Sequence, residues 1–284
     1  MMKTGLDDQK RTFEQIQEHY KIERDLADTL RNAPQQSRGS LYASLYNELF
    51  KRIVHHPQLT RKASPQESQK AVSQQIKFIK PYLGKETLCT TFLEMGPGDC
   101  ALSFEIAKLV KKVYAVDVSD EITKASVLPK NFHLILSNGS DVSLSPESIH
   151  VAYSNQLMEH LHPDDAIEQL TNIYKTLVSG GVYICITPNR LSGPHDISRY
   201  FDEVATGFHL KEYSTLELIS LFRKVGFSRV KLYTMVKGQY LRCPLFLIAA
   251  CEGLLSYLPH RYRKSVPEML RLNFLIDIRL VAIK

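Results

Sequence analysis

The chain has 284 residues, of which 44% are apolar and 23% charged. That is ordinary for a globular protein and enough to bury one large α/β core without staples. The formal charge of +6 is the mild surplus of a solvated surface, not the dense basic stripe of a nucleic-acid binder, so no nucleic-acid partner is expected. Five cysteines, Cys89, Cys100, Cys185, Cys243 and Cys251, are odd in number and form no CxxC pair, which argues against a disulfide framework or a zinc site and fits a reducing compartment. The polar opening segment has no apolar signal core, and no run of about 18 apolar residues is present. A cytoplasmic protein is expected, with peripheral membrane contact through 237–272 as a further expectation.

In chain order, residues 1–86 read as a helical extension. Leu41, Leu45, Leu49 and Tyr42, Tyr46, Ile53 recur at three- and four-residue spacing, which makes one apolar face. Asn32 to Gly39 reads as a loop and Ser40 as the N-cap of the helix after it. In the adjacent pair His55-His56 the side chains point apart, so the pair alone makes a poor chelate, and no metal is expected.

Residues 87–236 change character. Short apolar runs at 90–96, 112–119, 132–138, 149–155, 181–189 and 228–236 alternate with helical patterns. That alternation argues for a parallel sheet covered on both faces and, with right-handed crossovers, doubly wound. Residues 237–284 open with an apolar stretch that reads as a helical insertion or lid, pass a basic cluster at 260–264, and end in an alternating strand, 276–284.

The motif richest in chemistry follows the first run. Glu94 ends a strand and Gly96-Pro97-Gly98 turns into a helix that Asp99 can cap. Glycines belong where a ligand approaches the backbone closely, and the helix start offers N–H groups to an anion. With Ala101 as the third small residue, the spacing also satisfies the loose dinucleotide fingerprint. Asp117 ends the second strand, where a carboxylate accepts from both hydroxyls of a ribose. Ser154, Asn155 and Gln156 end the fourth strand, at the carboxyl edge where open α/β sheets bind ligands.

Glu94 to Gly98, Asp117, Ile149 to Leu161 and Val178 to Asn189, in this order and spacing, resemble the successive motifs of class I S-adenosylmethionine-dependent methyltransferases. The likeness is nearest the broad group of quinone, sterol and small-molecule enzymes and covers roughly residues 88–236 plus the terminal strand. It implies a seven-stranded, mostly parallel doubly wound sheet whose last strand is antiparallel. It implies S-adenosylmethionine as cofactor, with Gly96 and Gly98 along its methionine part, Glu94 toward its amino end, Asp117 on the ribose and Val118 against the adenine. The acidic residue that such enzymes carry after the third strand aligns with Asn138, beside Gly139, and both Asn138 and Asp141 stay open for that role. The cofactor-contacting set expected is therefore Glu94, Gly96, Gly98, Asp117, Val118, Asn138, Gly139, Ser154 and Asn155.

His160 and His195 are the candidate general bases. The alternatives for them are a histidine fixing its loop, and turn chemistry around Gly193-Pro194 with Asp196 capping a short helix. The expected reaction is direct displacement of the sulfonium methyl by a small-molecule, lipid or glycan acceptor, on oxygen, helped chiefly by alignment and exclusion of water. The competing readings are a non-catalytic S-adenosylmethionine-binding protein and an NAD(P)-dependent oxidoreductase, against which stand Glu94 and the block from Asn155 to Leu161. A nucleic-acid methyltransferase is disfavoured because Ser154-Asn155-Gln156-Leu157 replaces the Asn/Asp-Pro-Pro-aromatic block of adenine enzymes.

Overall fold

A computed structural model describes residues 11–60, 64–119, 128–270, 272 and 275–284, with nothing described for the side chains at 261, 264 and 268. Residues 1–10 and 61–63 of the expected helical extension, and 271, 273 and 274 of the expected insertion, lie outside the described residues, as do the side chains of Arg261 and Lys264 from the basic cluster.

The strands are β1 (Thr91–Met95), β2 (Lys112–Asp117), β3 (Phe132–Leu136), β4 (Ile149–Asn155), β5 (Leu177–Pro188), β6 (Arg229–Val236), β7 (Gln239–Cys243) and β8 (Asp277–Ile283). They form one sheet in the order β3-β2-β1-β4-β5-β8-β6-β7. The pairs from β3 across to β5 are parallel. β8 runs antiparallel between β5 and β6. The sheet thus has eight strands rather than the expected seven. The additional strand, β7, makes a hairpin with β6 inside the segment read as wholly helical. Its turn is Lys237-Gly238, with φ of 49° and 78°. Two consecutive positive φ values suit the tight turns whose twist matches the paired strands, and glycine takes such a value without steric cost.

The β strands bury apolar side chains on both faces, and helices cover both. On one face α6 (Pro163–Thr176) and α7 (Thr215–Val225) pack Leu170, Ile173, Leu218 and Phe222 against Leu93, Tyr183 and Leu280. On the other, α4 (Pro65–Ile79) and α5 (Ala101–Ala107) bring Phe78, Ile79, Leu102 and Ile106 onto Phe92, Val113 and Val151. Helices α1 (Phe13–Asn32), α2 (Gln35–Arg52) and α3 (Pro57–Thr60) come first in the chain. α2 starts at Gln35 with Pro34 as its N-cap residue, so most of the expected loop is helical and Ser40 lies inside it, its hydroxyl bonding back to the Ser37 carbonyl. Proline fixes its own φ and lacks an N–H that the helix start would leave unpaired, which favours the earlier start.

α2 is held to α6 by a buried cluster. Arg38 donates from Nε and Nη2 to the two carboxylate oxygens of Asp165, at 2.7 and 2.6 Å. The Tyr42 hydroxyl donates to the same carboxylate at 2.7 Å and accepts from the His162 backbone N–H at 3.0 Å. The carboxyl edge of the sheet therefore lies beneath the N-terminal helices.

Candidate functional site

The site begins at the end of β1. Gly96 N–H donates to the Val116 carbonyl at 2.9 Å, so the glycine loop leaves the sheet beside the end of β2. Gly98 has φ of +55°, and a Cβ built on it would meet nothing within 4 Å; its missing side chain faces open space. Asp99 Oδ1 accepts from the Ala101 N–H at 3.1 Å, but Cys100 takes the N-cap position of α5 in place of the expected Asp99. Asp117 closes the other side: Oδ1 accepts from the N–H groups of Val118 and Ser119 at 2.7 and 3.2 Å. Burial raises the Asp117 pKa, and the backbone donors of Val118, Ser119 and Gly98 hold part of that rise back. Glu94 lies behind the loop, buried, and accepts from the Ser103 hydroxyl at 2.5 Å. Burial pushes its carboxyl up to about 8.

A cavity of about 470 Å3 opens here, lined by Gly96, Gly98, Asp117, Val118 and Gly139 and roofed by Tyr42, Tyr46 and Phe50 of α2. Five of the expected cofactor-contacting residues thus meet on one cavity. The other four do not line it. Glu94 is behind the loop. Asn138 turns its amide oxygen onto its own loop, accepting from the N–H groups of Ser140 and Asp141 at 3.1 and 2.9 Å. Ser154 is buried in the sheet, its hydroxyl 2.7 Å from that of Tyr183, and Asn155 is half-buried at the end of β4.

A second cavity of about 470 Å3 adjoins the first, and Tyr46, Gln58 and His160 line both. Its wall is polar: His19, Glu23 and His56 from the N-terminal helices and the turn after α2 face Glu159, His160, His195, Asp196 and His209. Both candidate bases therefore meet on it. His160 Nδ1 lies 3.1 Å from the Phe208 carbonyl and 2.8 Å from the Tyr46 hydroxyl. With the hydrogen on Nδ1, donated to the Phe208 carbonyl, Nε2 keeps its lone pair; with the Tyr46 hydroxyl donating to Nδ1, the hydrogen sits on Nε2. Burial, and then the charge of His209, press the His160 pKa down to about 3 and keep the ring neutral. His195 Nε2 is 3.1 Å from both the Asn189 carbonyl and the Ser192 hydroxyl.

His19, Glu23 and His209 of this wall were not singled out from the sequence, and His56 was considered only as half of a poor chelating pair. His19 and Glu23, one helical turn apart, pair at 2.8 Å. Burial opposes the Glu23 charge, but the hydrogen bond and charge of His19 outweigh it and lower the pKa. Burial takes His56 down to about 4. His209 Nδ1 pairs with Glu212 at 2.7 Å; burial works against its charge, yet Glu212, Glu159 and Asp196 together raise its pKa. Burial pushes Glu159 up to about 7. The segment from Thr206 to His209 is stitched between these groups: Gly207 N–H donates to Asp196 and Phe208 N–H to Glu23, each at 2.9 Å. A Cβ on Gly207 would collide with Glu23 Oε1 and come within 2.7 Å of Asp196 Oδ2. The i,i+4 spacing of His19 and Glu23 was a readable signal; the convergence of α1 with the loops after β4 and β5 was not.

Among the described residues none of 237–272 lines either cavity, and α2 supplies the roof of the first. Helix α8 (Leu245–Ser256) turns Ile248, Glu252 and Leu255 inward. Buried Glu252 accepts from Asn189 Nδ2 at 2.7 Å and from the Thr215 N–H at 3.1 Å. The opposite stripe, Phe246, Ala250, Gly253, Leu254 and Tyr257, is exposed. Among the described residues no helix is long and apolar enough to cross a membrane.

Comparison with known proteins agrees with this geometry. Residues 93–185 match the methyltransferase-domain family model. A probable S-adenosylmethionine-dependent methyltransferase of Mycolicibacterium smegmatis is 29% identical over 137 residues, 48% of this chain and 51% of the relative; the chain thus spans about half the length of the curated relative it matches. Among solved structures, a SAM-dependent methyltransferase from Archaeoglobus fulgidus superposes with a TM-score of 0.52 and 18% identity over 86% of this chain and 100% of its own. A possible histamine N-methyltransferase from Thermotoga maritima gives 0.51 and 16% over 86% and 96%. At such identities these two speak for the fold. Glycine loop, strand-end aspartate, sheet order and family match converge: residues 93–185 match a methyltransferase domain, and the whole sheet has the fold seen in S-adenosylmethionine-dependent methyltransferases.

Proposed function

We propose that the chain methylates a small, hydroxyl-bearing acceptor on oxygen, by direct displacement, in the polar cavity that adjoins the glycine loop. The observation that carries this reading is the sharing of Tyr46, Gln58 and His160 by the two cavities. The residues fit the cofactor: the space over Gly98 admits a ligand against the backbone, and Asp117 and Val118 line the same space for a ribose and a base. When bound, S-adenosylmethionine supplies a methyl on a positively charged sulfur. Everything else falls to the chain. Tyr42, Tyr46 and Phe50 cover the cavity and exclude water, and the histidines and carboxylates beyond hydrogen-bond an acceptor and take up its proton. A wall so rich in hydrogen-bonding groups suits a polar acceptor, because an apolar one would leave those groups unpaired.

The exposed stripe of α8, with Arg242 exposed on β7 beside it, supports peripheral contact with an anionic bilayer surface. The central experiment is calorimetry with S-adenosylmethionine, its demethylated product and NAD, followed by methyl transfer to a panel of hydroxylated small molecules. Tight binding of NAD with no response to the methyl donor would overturn the reading.

A further inference from the structure

We infer that Glu159, His160 and His209 form a binding site for a divalent transition-metal cation, of the zinc or manganese type, in the wall of the polar cavity. One donor atom from each of the three lies within 4.8 Å of the others. Zinc holds nitrogen and oxygen donors at roughly 2.0–2.2 Å, so the ligands of one ion stand about 3 to 4.3 Å apart. The separations here, none above 4.8 Å, approach that range.

A second observation points the same way. Glu159 is buried, and its Oε2 accepts from the Thr187 hydroxyl at 2.9 Å, while its Oε1 is buried with no hydrogen-bond partner. A buried acceptor left unpaired costs about 1–3 kcal/mol, and a cation in the cavity it lines removes that cost.

The surroundings have the form of a metal's outer shell. Ligating histidines give their other ring N–H to a carboxylate or a backbone carbonyl, which fixes the tautomer and the ring plane. His209 Nδ1 is 2.7 Å from Glu212 Oε1, and His160 Nδ1 is 3.1 Å from the Phe208 carbonyl. In the tautomer of each ring that carries its hydrogen on Nδ1, Nε2 is left able to ligate. Two imidazoles and one carboxylate suit zinc, manganese or iron(II) better than calcium or magnesium, which prefer an all-oxygen shell. Three protein ligands leave further coordination positions directed at the cavity. The spacing 159, 160, 209 gives no metal motif in the sequence, since the third ligand arrives through the fold.

The site is independent of the transfer reading, and its test does not use turnover. The full chain, stripped with a chelator, is titrated with manganese and with zinc alone, and binding is followed by calorimetry and by the paramagnetic signal of manganese. One equivalent per chain is expected. Glu159→Gln and His209→Gln should each lose that binding, and Glu212→Gln should weaken it about 10–100-fold. Two separate ligand variants guard against either one failing to fold, which circular dichroism reports. His19→Asn, in the neighbouring His19, Glu23, His56 group, should leave the stoichiometry unchanged. No stoichiometric binding of either cation, or binding that survives in folded Glu159→Gln and disappears in His19→Asn, overturns the proposal.

Discussion

Arg38 and Asp165 stand 127 residues apart in the chain and meet in a two-pronged, buried pairing whose side chains are 4% and 5% exposed. This contact fixes the helix whose tyrosines roof the cavity proposed for the cofactor to the helix behind the sheet. Removing one member leaves the other charge buried without compensation, at a cost of about 3–5 kcal/mol. Arg38→Met should lower the melting temperature and weaken cofactor binding together. Thermal melts with and without S-adenosylmethionine check both; full stability with reduced affinity would mean the pairing orders the roof alone.

Asp117→Ala should lose cofactor affinity by roughly 1.5–3 kcal/mol, the worth of hydrogen bonds to a charged group. Gly98→Val should lose more, because the space over Gly98 is open and a branched side chain would fill it. Since a Cβ there meets no protein atom, the Val variant should stay folded apart from the strain of its positive φ. Calorimetry beside circular dichroism separates the two effects; unchanged affinity in either variant would remove that residue from the cofactor site.

The Glu94 carboxyl is raised from 4.5 to about 8 by burial. Between those values the folded chain holds a proton that the unfolded chain has released. Stability therefore falls as pH rises through the window, with a slope that approaches ~1.4 kcal/mol per pH unit. Glu94→Gln, neutral at every pH, should flatten that slope between pH 5 and 8 in denaturant titrations. An equally steep slope in the variant would place the linkage elsewhere.

His195→Ala should bind cofactor as the parent does and lose about 10²-fold in turnover if the imidazole receives the acceptor's proton. Single-turnover rates measure this apart from binding. Full activity would assign that proton to another group of the wall.

Phe246→Asp and Leu254→Asp change residues that are 70% and 71% exposed, so folding and cofactor binding should survive. Flotation with anionic vesicles should be lost in both. Equal flotation of parent and variants would dismiss α8 as a membrane contact.

The sheet was legible because its signals are local. Apolar runs of seven to nine residues, a glycine turn after the first and an acid ending the second are each contained within a dozen positions. β7 had a local signal too, Lys237-Gly238 between two strand-like stretches, but the long apolar run from Leu245 onward drew the whole segment toward a helical reading. Asn138 shows a different limit: an asparagine before glycine bonds its own backbone as readily as a ligand, so the sequence left the choice between Asn138 and Asp141 open. The polar cavity had no linear signature. It joins His19 and Glu23 of α1, His56 after α2, Glu159 and His160 after β4 and His209 after β5, and only the packing of α1 over the carboxyl edge brings them together. A lid was expected from the most apolar segment with Tyr42 and Tyr46 as the opposite wall, and those two tyrosines do line the first cavity.

Gly207 sets a boundary for any attempt to reshape the polar cavity. Its backbone is pressed between the carboxylates of Glu23 and Asp196, leaving no volume for even a methyl group. Mutant libraries that diversify the pocket should vary Arg199 or Tyr200, which line the same space, and hold position 207 constant. A substitution there would spread two acids that also fasten Phe208 and His209, and one altered atom would disturb three walls at once.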